Sequence, residues 1–336
     1  MSTQWQTELA NAVHDPAELL RMLELDPALL EPAQTAGRQF SLRVPRAFVA
    51  RMRKGDAADP LLHQVLPLGE ELRDTPGFDS DPVGDLHSRQ RPGVLHKYHG
   101  RVLLITTGAC GVHCRYCFRR YFPYEDETAR RDHWREALEY LRTDESISEV
   151  ILSGGDPLTL TDQVLTELVV ALQRIPHIKR LRIHTRQPIV LPSRVDESLL
   201  TWLGNCRLQK VVVLHVNHAR ELDAAVVEAL SKLRGTGATL FSQSVLLRGV
   251  NNSVETLAAL SEALFATGVV PYYLHLLDRV RGAAHFEVSE DEAGTLVGGL
   301  RARLPGYLVP RLVREIPGAP SKVPLADAPW PLPETA

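Results

Sequence analysis

A chain of 336 residues with 44% hydrophobic content can bury one large core, the size of a single α/β barrel with an extension. Its formal net charge of −3 offers nucleic acid no global attraction. No apolar run reaches membrane-spanning length and the first residues lack a charged-then-apolar secretion pattern, so a cytoplasmic protein is expected.

Three regions follow along the chain: residues 1–93, 94–290 and 291–336. The first reads as helices and loops. Asp15, Pro16 and Glu18 mark a helix start, with Asp15 as N-cap, Pro16 in the first turn and Glu18 spaced for a capping box. Leu19, Leu20, Met22 and Leu23 supply the apolar face of this helix. A second helix is expected from Pro45 to Met52, and the Pro- and Gly-rich stretch from Pro76 to Gly93 reads as loop wrapped on something larger.

The second region alternates β-rich and helix-like runs. Strands are expected at Val102–Thr106, Val150–Ser153, Leu181–His184, Val211–His215, Thr239–Val245 and Tyr272–Leu276. Helices such as Ala129–Leu141, Thr161–Arg174 and Val254–Ala266 lie between them. Six such units imply parallel strands joined by right-handed crossovers, an incomplete (β/α)6 barrel of α/β class.

In such a fold, ligands bind at the carboxyl ends of the strands. Cys110, Cys114 and Cys117 follow the first strand. Three thiolates in one short loop can hold three corners of a four-iron four-sulfur cube and leave the fourth iron open to a small molecule. The competing reading is a structural zinc, with His113 or Cys206 as fourth ligand. Zinc sites of that kind usually pair two knuckles across a longer loop, and here there is no second knuckle. A disulfide is disfavoured by the few cysteines and the missing secretion signal. Cys206 reads as a small buried hydrophobe.

Ser153, Gly154, Gly155 and Asp156 end the second strand, where a glycine pair lets backbone approach a ligand closely. His184, Thr185 and Arg186 end the third, His215 to His218 the fourth, and Gln243 lies in the fifth. Taken singly, each is as well explained by structure as by ligand contact. In the third region Lys322 sits in a Gly/Pro loop that opens at Glu315. A lysine in such a place is ordinarily a solvated charge.

The cysteine spacing is the signature of the radical S-adenosylmethionine enzymes, and from Asp59 to Leu325 the chain resembles the lysine 2,3-aminomutases among them. The resemblance is carried by Lys97–Arg101, Cys110–Arg120, Ser153–Leu158, His215–His218, Gln243–Asn251, Tyr272–Phe286 and the Glu315–Leu325 loop. It implies a radical S-adenosylmethionine barrel with an N-terminal helical extension and a C-terminal lysine loop. It also implies an isomerase that converts L-lysine to β-lysine with three cofactors: a 4Fe–4S cluster on Cys110, Cys114 and Cys117, S-adenosyl-L-methionine, and pyridoxal 5′-phosphate on Lys322. Ser153, Gly154, Gly155, Asp156, His215 and Gln243 then fall to cofactor binding, and Lys97 and Arg101 to the cofactor phosphate. Arg119 would fork onto the substrate carboxylate. Asp278 and Glu315 would receive the ε-ammonium.

Several features depart from the free-lysine enzymes of the family. Those commonly have arginine at the position of Lys97, aspartate at that of Glu315 and a longer glycine run than Gly318-Ala-Pro-Ser. They also have a long extension where this chain ends at Ala336. The last three features resemble a shorter branch, whose β-lysine is attached to a lysine of translation elongation factor P by a separate lysyl ligase. Free-lysine catabolism is the alternative within the family, and a zinc-stabilised translation-factor adaptor the alternative outside it.

Overall fold

The leucine- and valine-rich runs expected to be strands are strands in the computed structural model, which describes residues 3–132 and 134–325. Among the described residues ten strands join one sheet in chain order. They are β1 (Arg89–Arg91), β2 (Val94–Tyr98), β3 (Arg101–Thr107), β4 (Glu149–Gly154), β5 (Arg180–Thr185), β6 (Gln209–His215), β7 (Thr239–Val245), β8 (Val270–His275), β9 (Arg311–Arg314) and β10 (Val323–Pro324). Strands β3 to β9 pair in parallel. The hairpin β1–β2 adds antiparallel to β3, and β10 adds antiparallel to β9. The sheet does not close, since β1 and β10 end its order, so the architecture is an incomplete α/β barrel. Strand β9 is a seventh parallel strand beyond the six expected, and the strands fall in all three regions read from the sequence.

Alternation along the strands divides their side chains between two environments. On β5, Leu181, Ile183 and Thr185 are buried, and Leu181 and Ile183 join the main hydrophobic cluster beneath the helices. Arg182 and His184, from the other face, line a cavity inside the barrel. The central strand β4 is buried along its whole length, as a strand covered on both faces should be. Each fully buried Leu or Ile of the outer layer contributes roughly 1.5–3 kcal/mol. The crossover helices start on side-chain caps. Asp196, Asp223, Ser253 and Ser289 accept from backbone N–H groups that open helices Glu197–Asn205, Ala224–Gly235, Val254–Ala266 and Glu290–Arg303.

Three expected helices differ in detail. Asp15 caps helix Pro16–Met22 through the Ala17 N–H, but Glu18 pairs with Arg46 and forms no capping box. The helix expected from Pro45 to Met52 is only Arg46–Val49, because its backbone bonds then tighten to three-residue spacing at Arg51 and Met52. The segment expected as one helix from Ala129 is a 3-10 turn, Ala129–Asp132, and a helix, Arg135–Thr143. They are divided at Trp134, whose φ of 69° breaks the helical path while its indole enters the core.

The N-terminal region has its own cluster, including Leu19, Leu20, Phe48, Leu61 and Leu62. It is closed by Val112 from the cysteine loop and by Val190 and Leu191 after β5. The extension is therefore part of the cysteine loop's support. Among the described residues no helix is long and apolar enough to cross a membrane.

Candidate active site

The loop after β3 has no regular backbone ladder of its own, so its shape depends on partners. His113 N–H donates to Arg43 O and Arg115 N–H to Gln64 O, both at 2.9 Å. Arg115 is fully buried and forks onto Glu71 at 2.8 and 2.6 Å, while Arg120 reaches the same carboxylate at 2.8 Å. Phe40 lies under both guanidiniums, 4.9 and 4.7 Å from the ring centre. Gly111 lets the Gln187 amide pack against the loop, since a Cβ there would lie 2.0 Å from Gln187 Oε1 and displace that side chain.

Held in this way, Cys110, Cys114 and Cys117 all line the barrel cavity as free thiols. Burial pushes the Cys110 thiol well above its ordinary value and that of Cys117 up to about 11, with neighbouring thiols adding to both. A thiolate set so costly to charge calls for a cationic centre to neutralise it. Among the described residues no three His, Cys, Asp or Glu groups converge as they would on a single metal ion. The thiolates of a cube sit on different irons and need not meet at one point. The two candidate fourth ligands for zinc lie elsewhere. His113 turns onto Ser41 O at 2.9 Å and stacks on Phe40, and Cys206 is buried in the helical core.

The glycine pair after β4 serves the same loop. A Cβ on Gly155 would lie 2.2 Å from Ala109 O, and one on Gly154, whose φ is +120°, 2.6 Å from Thr107 O. Here the backbone that approaches glycine closely is that of the cysteine loop. Asp156 joins the ends of β4 and β5. Its carboxylate accepts from Thr185 Oγ1 at 2.7 Å, Arg186 N at 2.7 Å, Leu158 N at 3.0 Å and Gln187 N at 3.1 Å. Burial raises its pKa against the pull of those bonds.

At the other end of the cavity, the β9–β10 hairpin returns Lys322 beside Glu315. Lys322 Nζ bonds Glu315 Oε2, and Glu315 Oε1 accepts from Lys97 Nζ at 3.2 Å. Lys97 also pairs with Asp85 at 2.7 Å and donates to Val83 O at 2.8 Å. Asp85 takes Arg119 Nε at 2.6 Å, and Arg119 Nη1 reaches Ser153 Oγ at 3.2 Å. The result is a ladder of alternating charge, three cations to two anions, from Lys322 across to β4. Burial disfavours charge on Glu315, but Lys322 and Lys97 overcome it and hold the carboxyl down at about 2. Burial likewise opposes the charge of Asp85, and Arg119 and Lys97 bring its pKa below the usual range.

Two predicted residues stand outside the ladder. Arg101 stacks over Tyr98 at 4.9 Å and makes no ion pair among the described residues. Asp278, half-buried on the cavity wall, has no side-chain partner among them either. Burial pushes it up to about 7, with Lys322 pulling the other way. His215 packs on Tyr116, whose hydroxyl meets its Nε2 at 2.8 Å, and Gln243 faces the same space from β7. The cavity of about 320 Å3 thus gathers every residue singled out in the sequence for the site. It adds Asp85, which sequence reasoning missed, and it includes His184, expected at this rim, whose Nε2 is buried without a partner among the described residues. Asp85 lies in the irregular loop before β1, where only its distant partners mark it.

The Radical SAM superfamily model matches residues 104–260, from within β3 to within the helix before β8. With the open barrel and the three-thiol loop, this makes the chain a radical S-adenosylmethionine enzyme. It is 52% identical over 322 residues to the L-lysine 2,3-aminomutase of Escherichia coli (strain K12), covering 96% of this chain and 94% of that protein. It is 45% identical to that of Haemophilus influenzae, covering 96% of each. With that of Clostridium subterminale it shares 30% identity, over 96% of this chain and 77% of the other. The chain belongs to the L-lysine 2,3-aminomutase family. The cofactors that come with this family are a 4Fe–4S cluster, S-adenosylmethionine and pyridoxal phosphate, and the donor sets at the two ends of the cavity fit them.

Proposed function

We propose that this chain moves the α-amino group of L-lysine to the β-carbon. We propose further that the β-lysine serves elongation factor P, to which a separate lysyl ligase attaches it in the cytoplasm. The observation that carries this reading is the single cavity lined by three thiols, by Lys322 and by the carboxylate of Asp278, which has no side-chain partner among the described residues. When bound, the cluster with S-adenosylmethionine supplies one-electron chemistry at the thiol end, and pyridoxal phosphate an electron sink at the lysine end.

The chain's own residues act by position. Glu315 fixes Lys322 Nζ as the attachment amine, and Arg101, without an ion pair among the described residues, is a cation for the cofactor phosphate, with Lys97 on the same cavity wall. Arg119 faces the substrate carboxylate with its fork oriented by Asp85. Asp278 receives the ε-ammonium, which is costly to bury unless paired. Ser153, Gly154, Gly155, His215 and Gln243 wall the space between the two ends, where S-adenosylmethionine would lie. Asp156 supports that wall through the β4–β5 join.

Glu315 and the shortened glycine run at Gly318 support the elongation-factor branch. The test is anaerobic incubation of reconstituted enzyme with L-lysine, S-adenosylmethionine and dithionite, with β-lysine read by NMR. Elongation factor P and its ligase are then added and the mass gain measured. A colourless protein with one zinc per chain and no β-lysine overturns the reading. A deletion strain that cannot grow on lysine, yet keeps modified elongation factor P, favours lysine catabolism.

A further inference from the structure

Arg186 takes no part in the ladder, yet it reaches the sulfur of a cysteine from the far side of the loop. Its Nη1 donates to Cys114 Sγ at 2.9 Å and to Tyr116 Oη at 2.7 Å. Its Nη2 donates to Gln64 Oε1 at 2.6 Å and to Glu221 Oε2 at 3.0 Å. Asn217 Nδ2 bridges two of these acceptors, at 3.0 Å to Gln64 Oε1 and 2.7 Å to Tyr116 Oη. Arg186, Gln64, Glu221, Asn217 and Tyr116 are all buried. A planar guanidinium gripped at both ends cannot turn its Nη1–H away from the sulfur without stranding buried partners. Glu221 balances its charge, so what faces the thiol is a fixed donor.

We propose that Arg186 tunes the iron–sulfur cluster, its Nη1–H stabilising negative charge on Cys114 and so favouring the one-electron-reduced cluster. This rests on the reading that the three thiols carry a 4Fe–4S centre. Reduction takes one electron from a low-potential one-electron donor (dithionite in the assay), adds one negative charge to the cluster, and forms or breaks no bond. Hydrogen bonds to the sulfurs are among the levers that set cluster potentials. A donor carrying formal charge is the stronger kind.

The test compares the anaerobically reconstituted parent with Arg186→Lys, Arg186→Gln combined with Glu221→Gln, and Tyr116→Phe. Iron and sulfide per chain are measured first, and the cluster is then titrated reductively with the reduced state followed by EPR. Pairing the two substitutions avoids leaving Glu221 charged and alone. The double variant is expected to keep its iron and show about a tenfold lower ratio of reduced to oxidised cluster at fixed potential, about 59 mV for a one-electron couple. Arg186→Lys should shift less in the same direction. Tyr116→Phe, which removes the competing acceptor, should shift the opposite way. Unchanged potentials in variants that hold a full cluster overturn the proposal. If neither Arg186 variant retains iron, Tyr116→Phe decides: an upward shift supports the proposal and no shift overturns it. A parent without iron overturns instead the reading of the site on which the proposal rests.

Discussion

Asp278→Asn tests the contact proposed for the substrate ammonium. The side chain has no hydrogen-bond or ion-pair partner among the described residues, so the variant breaks no ion pair among them and should leave the fold and both cofactors in place. Breaking a desolvated charge pair typically costs about 2–5 kcal/mol. Because Asp278 is only half-buried, the lower part of that range applies. A loss of about 2–3 kcal/mol lowers kcat/KM for lysine roughly 30- to 140-fold at about 1.4 kcal/mol per decade. The pH profile gives a second, independent readout. Burial pushes the carboxyl up to about 7, and only its ionised form attracts an ammonium. The substrate amine, with an ordinary pKa of about 10.4, stays charged throughout. Parent kcat/KM should therefore be level above pH 7 and fall about tenfold per unit below it, while the variant lacks that descent. Steady-state kinetics from pH 6 to 9 with lysine, and with norleucine as neutral analogue, make the comparison. If Asp278→Asn matches the parent on lysine, or if both share the same acid limb, the ammonium binds elsewhere.

The remaining predictions concern the two ends of the cavity and their support. Alanine at Cys110, Cys114 or Cys117 should abolish cluster absorbance and cleavage of S-adenosylmethionine, whereas Cys206→Ala, in the helical core, should keep both; optical spectra and iron analysis decide. Lys322→Ala should lose the pyridoxal absorbance and the aminomutase reaction yet retain full iron, because the thiols and the lysine hairpin are held by separate loops. Glu71→Gln leaves two buried guanidiniums without their carboxylate and should destabilise the protein by about 3–5 kcal/mol, measured by denaturant unfolding, with iron loading lost in parallel.

The barrel is legible in the sequence because β3 and β4 carry runs of β-branched and leucine residues and β5 alternates apolar with polar ones, patterns that strands covered by helices on one face show. Strand β9 escapes those patterns, being four residues with arginine at each end. The edge strand β1 escapes them too, since all three of its residues are exposed. In the site, the thiol spacing speaks for itself, while Lys322 stands out only through resemblance. The ladder is less legible still. Lys97 and Glu315 lie 218 residues apart, and Asp85 sits in a loop with no periodicity to flag it. Charge pairing across such separations is written in the fold, and no local spacing encodes it. Glu18 shows the converse, a local signal for a capping box overridden by Arg46 from another helix.

Successive residues on β5 answer to different constraints, although they are covalent neighbours. Leu181 and Ile183 hold the sheet to its helices, whereas Arg182 and His184 look into the cavity and touch none of that packing. A substitution at Leu181 or Ile183 should register in melting temperature and one at His184 in turnover, whereas Arg182, paired with the buried Glu149 at 2.6 Å, should register in both. Such a strand can exchange its inward side chains for those suited to a different substrate while its outward ones stay fixed. Where an inward side chain anchors no buried partner, the inner wall of the barrel is thereby a replaceable lining on a scaffold that does not feel the change.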